Sequence, residues 1–158
     1  MKQPVFTGSG VAIITPFTND GVDYAALSDL LDFQLNAGTD AIIVCGTTGE
    51  AATMTAAERS RTIDAVVSQV NGRVPVIAGT GGNCTATAIE QSKAAEAAGV
   101  DGLLVVTPYY NKATQRGLVR HYQAIADAVT KPVILYNVPS RTGVKCAAET
   151  YAALSAHP

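Results

Sequence analysis

The sequence predicts an α/β fold: a partial (βα)8 TIM barrel of about five strand–helix units on a parallel sheet, one domain over residues 1–158. Three observations predict it. Short apolar, β-rich runs alternate with helical patterns, and successive strands joined by helices make a parallel sheet. The runs are continuous rather than alternating, as strands covered on both faces are. Polar motifs recur at the C-terminal ends of the second, fourth and fifth strands, which is where a barrel keeps its functional groups. The competing sheet is the open doubly wound one. Its glycine fingerprint after the first strand is absent, because Thr15-Pro16-Phe17 stands there.

The elements follow in order. Residues 10–16 form the first strand, ending in Thr15-Pro16. Leu27, Leu30, Leu31 and Leu35 then recur with the 3.6-residue period of a helix, and Gly38 caps it. Residues 41–45 are the second strand. Thr55 and Glu58 form a capping box, in which hydroxyl and carboxylate satisfy free amides at a helix start. Ile63, Val66, Val67 and Val70 are that helix's buried stripe, and Asn71-Gly72 stops it. Residues 74–78 are the third strand. Residues 85–98 form an Ala-rich helix closed by Gly99. Residues 102–106 are the fourth strand. Thr114 opens a helix carrying Leu118, Tyr122, Ile125 and Val129. Pro132 follows it, residues 133–138 are the fifth strand, and a last helix runs from Ala147 to the chain end. AGTDAIIV at 37–44 returns as AGVDGLLV at 98–105, two strand–helix units later.

Composition narrows the function classes. The chain is 47% hydrophobic and 15% charged, against about 25% charged for an ordinary domain. Some of that apolar surface is expected to be covered by another chain. Net charge is −2 with no block of like charges, so neither nucleic acid nor an anionic membrane is indicated. The apolar runs at 41–45 and 103–106 are far too short to span a bilayer. Cys45, Cys84 and Cys146 are scattered, with no CxxC, which suits reduced thiols in a cytoplasmic protein. His121 and His157 are placed on helices away from any cysteine or carboxylate cluster. No metal site and no cofactor are expected.

Three strings carry chemistry. GTTGE at 46–50 follows the second strand directly. Its glycines let backbone approach a ligand, consecutive amides can grip an anion, and Thr47 and Thr48 add hydroxyls. A tight turn between strand and capped helix needs the same glycines. TPYYN at 107–111 places Tyr109 and Tyr110 after the fourth strand. Packing at a barrel mouth is their ordinary role, and moving protons at a dry site is the alternative. YNVPSRTG at 136–143 adds Tyr136 at the end of the fifth strand and Arg141 in the loop beyond. Arginine's fork pairs both oxygens of a carboxylate. GTGGN at 79–83 lacks the Lys-Ser/Thr of a phosphate loop and reads as a strand-to-helix turn.

In this order GTTGE, TPYYN and YNVPSRTG resemble the dihydrodipicolinate synthase (4-hydroxy-tetrahydrodipicolinate synthase) family, from about Phe6 to the end. The match covers roughly the first half of a member, given about 250 residues or more for a full barrel. The resemblance implies condensation of pyruvate with L-aspartate-4-semialdehyde through a Schiff base, in lysine biosynthesis by the diaminopimelate route, by a homo-oligomer. It implies that Thr47, Tyr136 and Tyr110 form a proton relay, with Tyr110 supplied by a neighbouring subunit. It implies that the backbone of Thr48 holds the pyruvate carboxylate and Arg141 the semialdehyde carboxylate. The SRTG ending favours this branch over N-acetylneuraminate lyase-like pyruvate aldolases, the alternative. Asn83 and Tyr109 match the family's lysine-feedback site. Ala56, Arg59 and Thr87 stand where some members carry two histidines and a glutamate, so feedback by lysine is not expected. The family's Schiff-base lysine lies on the sixth strand. None of Lys2, Lys93, Lys112, Lys131 and Lys145 is expected to replace it, since a loop lysine lacks the desolvated pocket that lowers its pKa. The chain by itself is therefore expected to be inactive. A second alternative is a non-catalytic partial barrel that self-associates or partners a full-length enzyme.

Overall fold

A computed structural model describes residues 3–158. Lys2 lies outside the described residues. Five parallel strands lie in chain order: β1 (Gly10–Ala12), β4 (Ala41–Val44), β5 (Val76–Gly79), β6 (Gly102–Val106) and β7 (Val133–Tyr136). Between β1 and β4 comes a small antiparallel hairpin, β2 (Phe17–Thr18) and β3 (Gly21–Val22). The helices are α1 (Tyr24–Asn36), α2 (Ala56–Val70), α3 (Thr85–Ala97), α4 (Gln115–Ala126), the one-turn α5 (Pro139–Thr142) and α6 (Ala148–Ser155).

Helices α1, α2 and α4 start where the sequence supplies a side-chain cap, whereas α3, α5 and α6 start without one. Asp23 accepts from the amides of Ala25 and Ala26 to open α1. Thr55 and Glu58 form the complete reciprocal box at α2, and Thr114 accepts from Gly117 at α4. Asn71 takes the left-handed conformation that ends α2, at φ 47°.

The sheet packs one face against the helices, while on the other face Ile77 is buried and its neighbours are less covered. Ile13, Ile42, Val44, Val76, Ala78, Leu103 and Val105 are buried in one cluster with Leu27 and Leu31 of α1, Ile63 and Val66 of α2, Ala88 of α3 and Tyr122 and Ile125 of α4. The residues between them point the other way. Ile14 is 53% exposed there, and Ile43, Leu104, Val106, Ile134 and Tyr136 are half-buried. A doubly wound sheet covers both faces, so the open face decides for the half-barrel. Strand β1 pairs only with β4 and β7 only with β6, which leaves two unpaired edges among the described residues.

Three expectations need correcting. The first strand is Gly10–Ala12 and not 10–16, because Pro16 has no N–H and the chain turns into the hairpin at Asn19-Asp20. Arg141 sits on the one-turn helix α5 rather than in a loop, with Pro139 at its start and Gly143 left-handed at its end (φ 69°). His157 lies beyond the end of α6 rather than on a helix, with its Nε2 2.9 Å from the single carboxylate of Asp127.

Candidate active site

The C-terminal ends of β4 to β7 surround a cavity of ≈ 380 Å3, a small-molecule volume. Two glycines bring the strand ends together. A Cβ on Gly79 would stand 2.0 Å from the Cys45 carbonyl oxygen, and one on Gly81 would stand 2.3 Å from the Val106 nitrogen. Both residues line the cavity. Cys45 turns the chain out of β4 with φ 53°, an uncommon conformation for a residue with a side chain. Its thiol is buried beneath the cavity, and that burial pushes its pKa up to about 11, against a smaller opposing pull from Arg59.

The GTTGE turn begins there. Glu50 N–H donates to Thr47 O at 3.1 Å, and the buried Thr15 hydroxyl donates to Gly49 O at 2.7 Å, tying the turn to the end of the first strand. Thr47 lines the cavity; Thr48 is exposed beside it and does not. Among the described residues, the backbone N–H groups of Thr47 and Thr48 have no acceptor. Two free adjacent amides at a glycine-flanked turn are what an anion cradle requires.

Tyr136 and Arg141 line the same cavity. The Arg141 side chain makes no hydrogen bond or ion pair among the described residues, so its fork is open to a ligand. Its one-turn helix is held from both sides. The buried Thr142 hydroxyl reaches the carbonyls of Val138 (3.2 Å) and Val144 (3.0 Å). Downstream, Gln115 on α4 donates to Lys145 O (2.9 Å) and accepts from Ala147 N (2.9 Å) and the Thr150 hydroxyl (2.6 Å). Asn137 Oδ1 accepts from Cys146 N at 3.2 Å. Only chain geometry shows this clamp, since Gln115 carries no mark in the sequence beyond its place at a helix start.

The remaining site residues divide. Tyr109 lines the cavity at 41% exposure. Tyr110 does not. It is 88% exposed, at φ 70° in a γ-turn closed by Asn111 N–H on Tyr109 O at 2.8 Å. Asn83 lies outside the cavity, and its carbonyl accepts from Asn111 Nδ2 at 2.9 Å. The hydroxyls of Thr47, Tyr110 and Tyr136 make no hydrogen bond to one another among the described residues. Sequence reasoning did not place Glu50 and Arg59 on this wall, though both are there. No lysine is among the cavity's lining residues; Lys112 and Lys145 are exposed nearby in sequence.

A sequence model of the Dihydrodipicolinate synthetase family matches residues 5–158. The chain belongs to that family. It is 61% identical over 153 residues to the 4-hydroxy-tetrahydrodipicolinate synthase of Geobacter sulfurreducens, covering 97% of this chain and 53% of that protein. It is 57% identical over 155 residues to the enzyme of the same name from Thermoanaerobacter sp., covering 98% and 52%. The dihydrodipicolinate synthase crystal structure from Aquifex aeolicus superposes with a TM-score of 0.93 at 51% identity, covering 95% of this chain and 51% of that one. The chloride-inhibited dihydrodipicolinate synthase from Acinetobacter baumannii, complexed with pyruvate, superposes at 0.94 with 50% identity, covering 96% and 52%. The chain thus spans about half the length of the curated relatives it matches. No helix among the described residues is long and apolar enough to cross a membrane.

Proposed function

We propose that this chain supplies the carboxylate-binding and proton-transfer half of a 4-hydroxy-tetrahydrodipicolinate synthase site, acting in the cytoplasm on pyruvate and L-aspartate-4-semialdehyde. The convergence of Thr47, Tyr136 and Arg141 on one strand-end cavity carries the reading. The free amides of the GTTGE turn hold the pyruvate carboxylate. The unpaired Arg141 takes the semialdehyde carboxylate, and Thr47 and Tyr136 move protons as the new carbon–carbon bond forms. Tyr110, exposed and outside its own cavity, serves the site of a neighbouring subunit.

The Schiff-base lysine, which turns pyruvate into the enamine nucleophile, is not supplied by the residues that line this cavity. A Schiff base needs a lysine whose amine is neutral in a desolvated pocket, and no lysine lines this cavity. Incubation with pyruvate and borohydride, followed by intact-mass measurement, is expected to leave the 158-residue chain unmodified. A stoichiometric reduced pyruvate adduct would show that Lys112 or Lys145 does the chemistry and would overturn this division of labour.

One observation favours a second reading. Unpaired edges at β1 and β7 beside an apolar open face with Ile14 at 53% exposure invite association. Self-association of the partial barrel gives a particle of at least two chains by light scattering; a monodisperse monomer counts against it.

A further inference from the structure

Glu50 lines the strand-end cavity, and the reaction proposed for that cavity gives it no part. Its backbone is pinned from both sides. The N–H donates to Thr47 O at 3.1 Å, and the carbonyl accepts from the Thr53 N–H and the Thr53 hydroxyl, both at 2.9 Å. The conformation so held is left-handed, with φ 54° and ψ 31°. An L-residue with a side chain is strained there, whereas glycine adopts it freely. The turn itself therefore has no need of a glutamate. Strain kept at a cavity wall points to use of the side chain.

The carboxylate is the free end. Among the described residues it makes no hydrogen bond and no ion pair. Arg59, on the same wall, does not neutralise it, because its terminal nitrogens donate to Gln91 Oε1 and Ala51 O. Arg141 is also unpaired, so the cavity presents one open acid and one open guanidinium. An α-amino acid carries the complement of each on a single carbon, an ammonium and a carboxylate. A lone carboxylate grips an ammonium by charge-assisted hydrogen bonds. A metal ion needs more ligands, and among the described residues no three His, Cys, Asp or Glu side chains gather to hold one. The same acid repels a second carboxylate on the ligand, which adds discrimination against diacids. We propose that Glu50 binds the α-ammonium group of the substrate whose carboxylate Arg141 takes, and so selects an α-amino acid over the same acid without its amine. The inference rests on the role given to Arg141 above.

Two probes differ only in that amine. L-Homoserine has a hydroxyl in place of the semialdehyde's carbonyl, and 4-hydroxybutyrate is the same acid without the ammonium. Each is titrated into the 158-residue chain by calorimetry at low, constant ionic strength. Saturable homoserine binding with a Kd of about 1 mM is expected for so few atoms. 4-Hydroxybutyrate binds about fivefold more weakly, a modest factor because the exposed Glu50 carboxylate is screened by solvent. E50Q loses this preference and binds the two probes alike. E50G loses it too, yet melts no lower than the wild type, since glycine relieves the left-handed backbone. R141Q weakens both probes. Equal affinity of the wild type for the two probes overturns the proposal, as does a preference retained in E50Q or failure of the wild-type chain to saturate with homoserine. The role of Arg141 is judged separately: R141Q binding as the wild type does, with the preference lost in E50Q, supports Glu50 and removes the carboxylate from Arg141.

Discussion

Gly79→Ala is expected to destabilise the chain by about 3 kcal/mol or more, while Gly82→Ala, three residues along the same GTGGN turn, changes stability by less than about 0.5 kcal/mol. The contrast follows from what each new methyl meets. At Gly79 it stands 2.0 Å from the Cys45 carbonyl oxygen and 2.7 Å from its carbon, and both are backbone atoms that cannot swing aside. At Gly82 nothing lies within 4 Å. Relief at Gly79 requires β4 and β5 to part where Val44 pairs with Ala78, or Cys45 to leave its left-handed conformation. Either movement opens the floor of the cavity. For a chain of this size the loss corresponds to a fall of about 6–12 °C in Tm. Thermal unfolding followed by circular dichroism checks it, with Gly81→Ala, 2.3 Å from Val106 N, expected to behave like Gly79→Ala. Equal midpoints for the Gly79 and Gly82 variants would remove steric closure of the strand ends as the reason for glycine there.

Why that contact is invisible in the sequence shows where sequence reading stops. The strands and helices were legible because apolar period and capping chemistry are local: Thr55 and Glu58 declare α2 wherever it packs. The near approach of Gly79 to Cys45 depends on the register of β4 against β5, which no local pattern states. The same division runs through the site. Thr47, Tyr136 and Arg141 were legible as motif residues at strand ends, and the structure brings all three to one cavity. That Arg59 reaches the same wall without a counter-ion is a tertiary fact. Two local signals were present but weak. Pro139 and Gly143 bracket α5 as a start and a stop, yet one turn is too short to show a helical period. Asn19-Asp20 before Gly21 marks the β2–β3 hairpin, yet strands of two residues cannot alternate visibly. Five strand–helix units are too few to close a barrel of eight, and the register gives β1 and β7 one neighbour each among the described residues.

Tyr136→Phe is expected to lower the condensation rate by 10² to 10⁴, the usual contribution of a positioned proton-transfer group. The measurement needs a closed barrel. A chimera supplies it, with this chain replacing the matching half of the Geobacter sulfurreducens synthase, to which it is 61% identical. The phenol of Tyr136 lines the cavity and makes no hydrogen bond to a described residue, so removing its oxygen leaves no partner unsatisfied and the fold intact. The loss falls on kcat, because a proton relay acts in the transition state rather than in binding. Arg141→Ala behaves differently. We assign its unpaired fork to the semialdehyde carboxylate, so KM for that substrate rises while KM for pyruvate, which we propose the amides of the GTTGE turn hold, stays near its original value. Unfolding midpoints matched to the unmutated chimera confirm that chemistry and not stability is being read. Tyr136→Phe with undiminished kcat would take the proton role away from that phenol. Parallel rises of both KM values in Arg141→Ala would show that the arginine shapes the whole cavity instead of gripping one substrate.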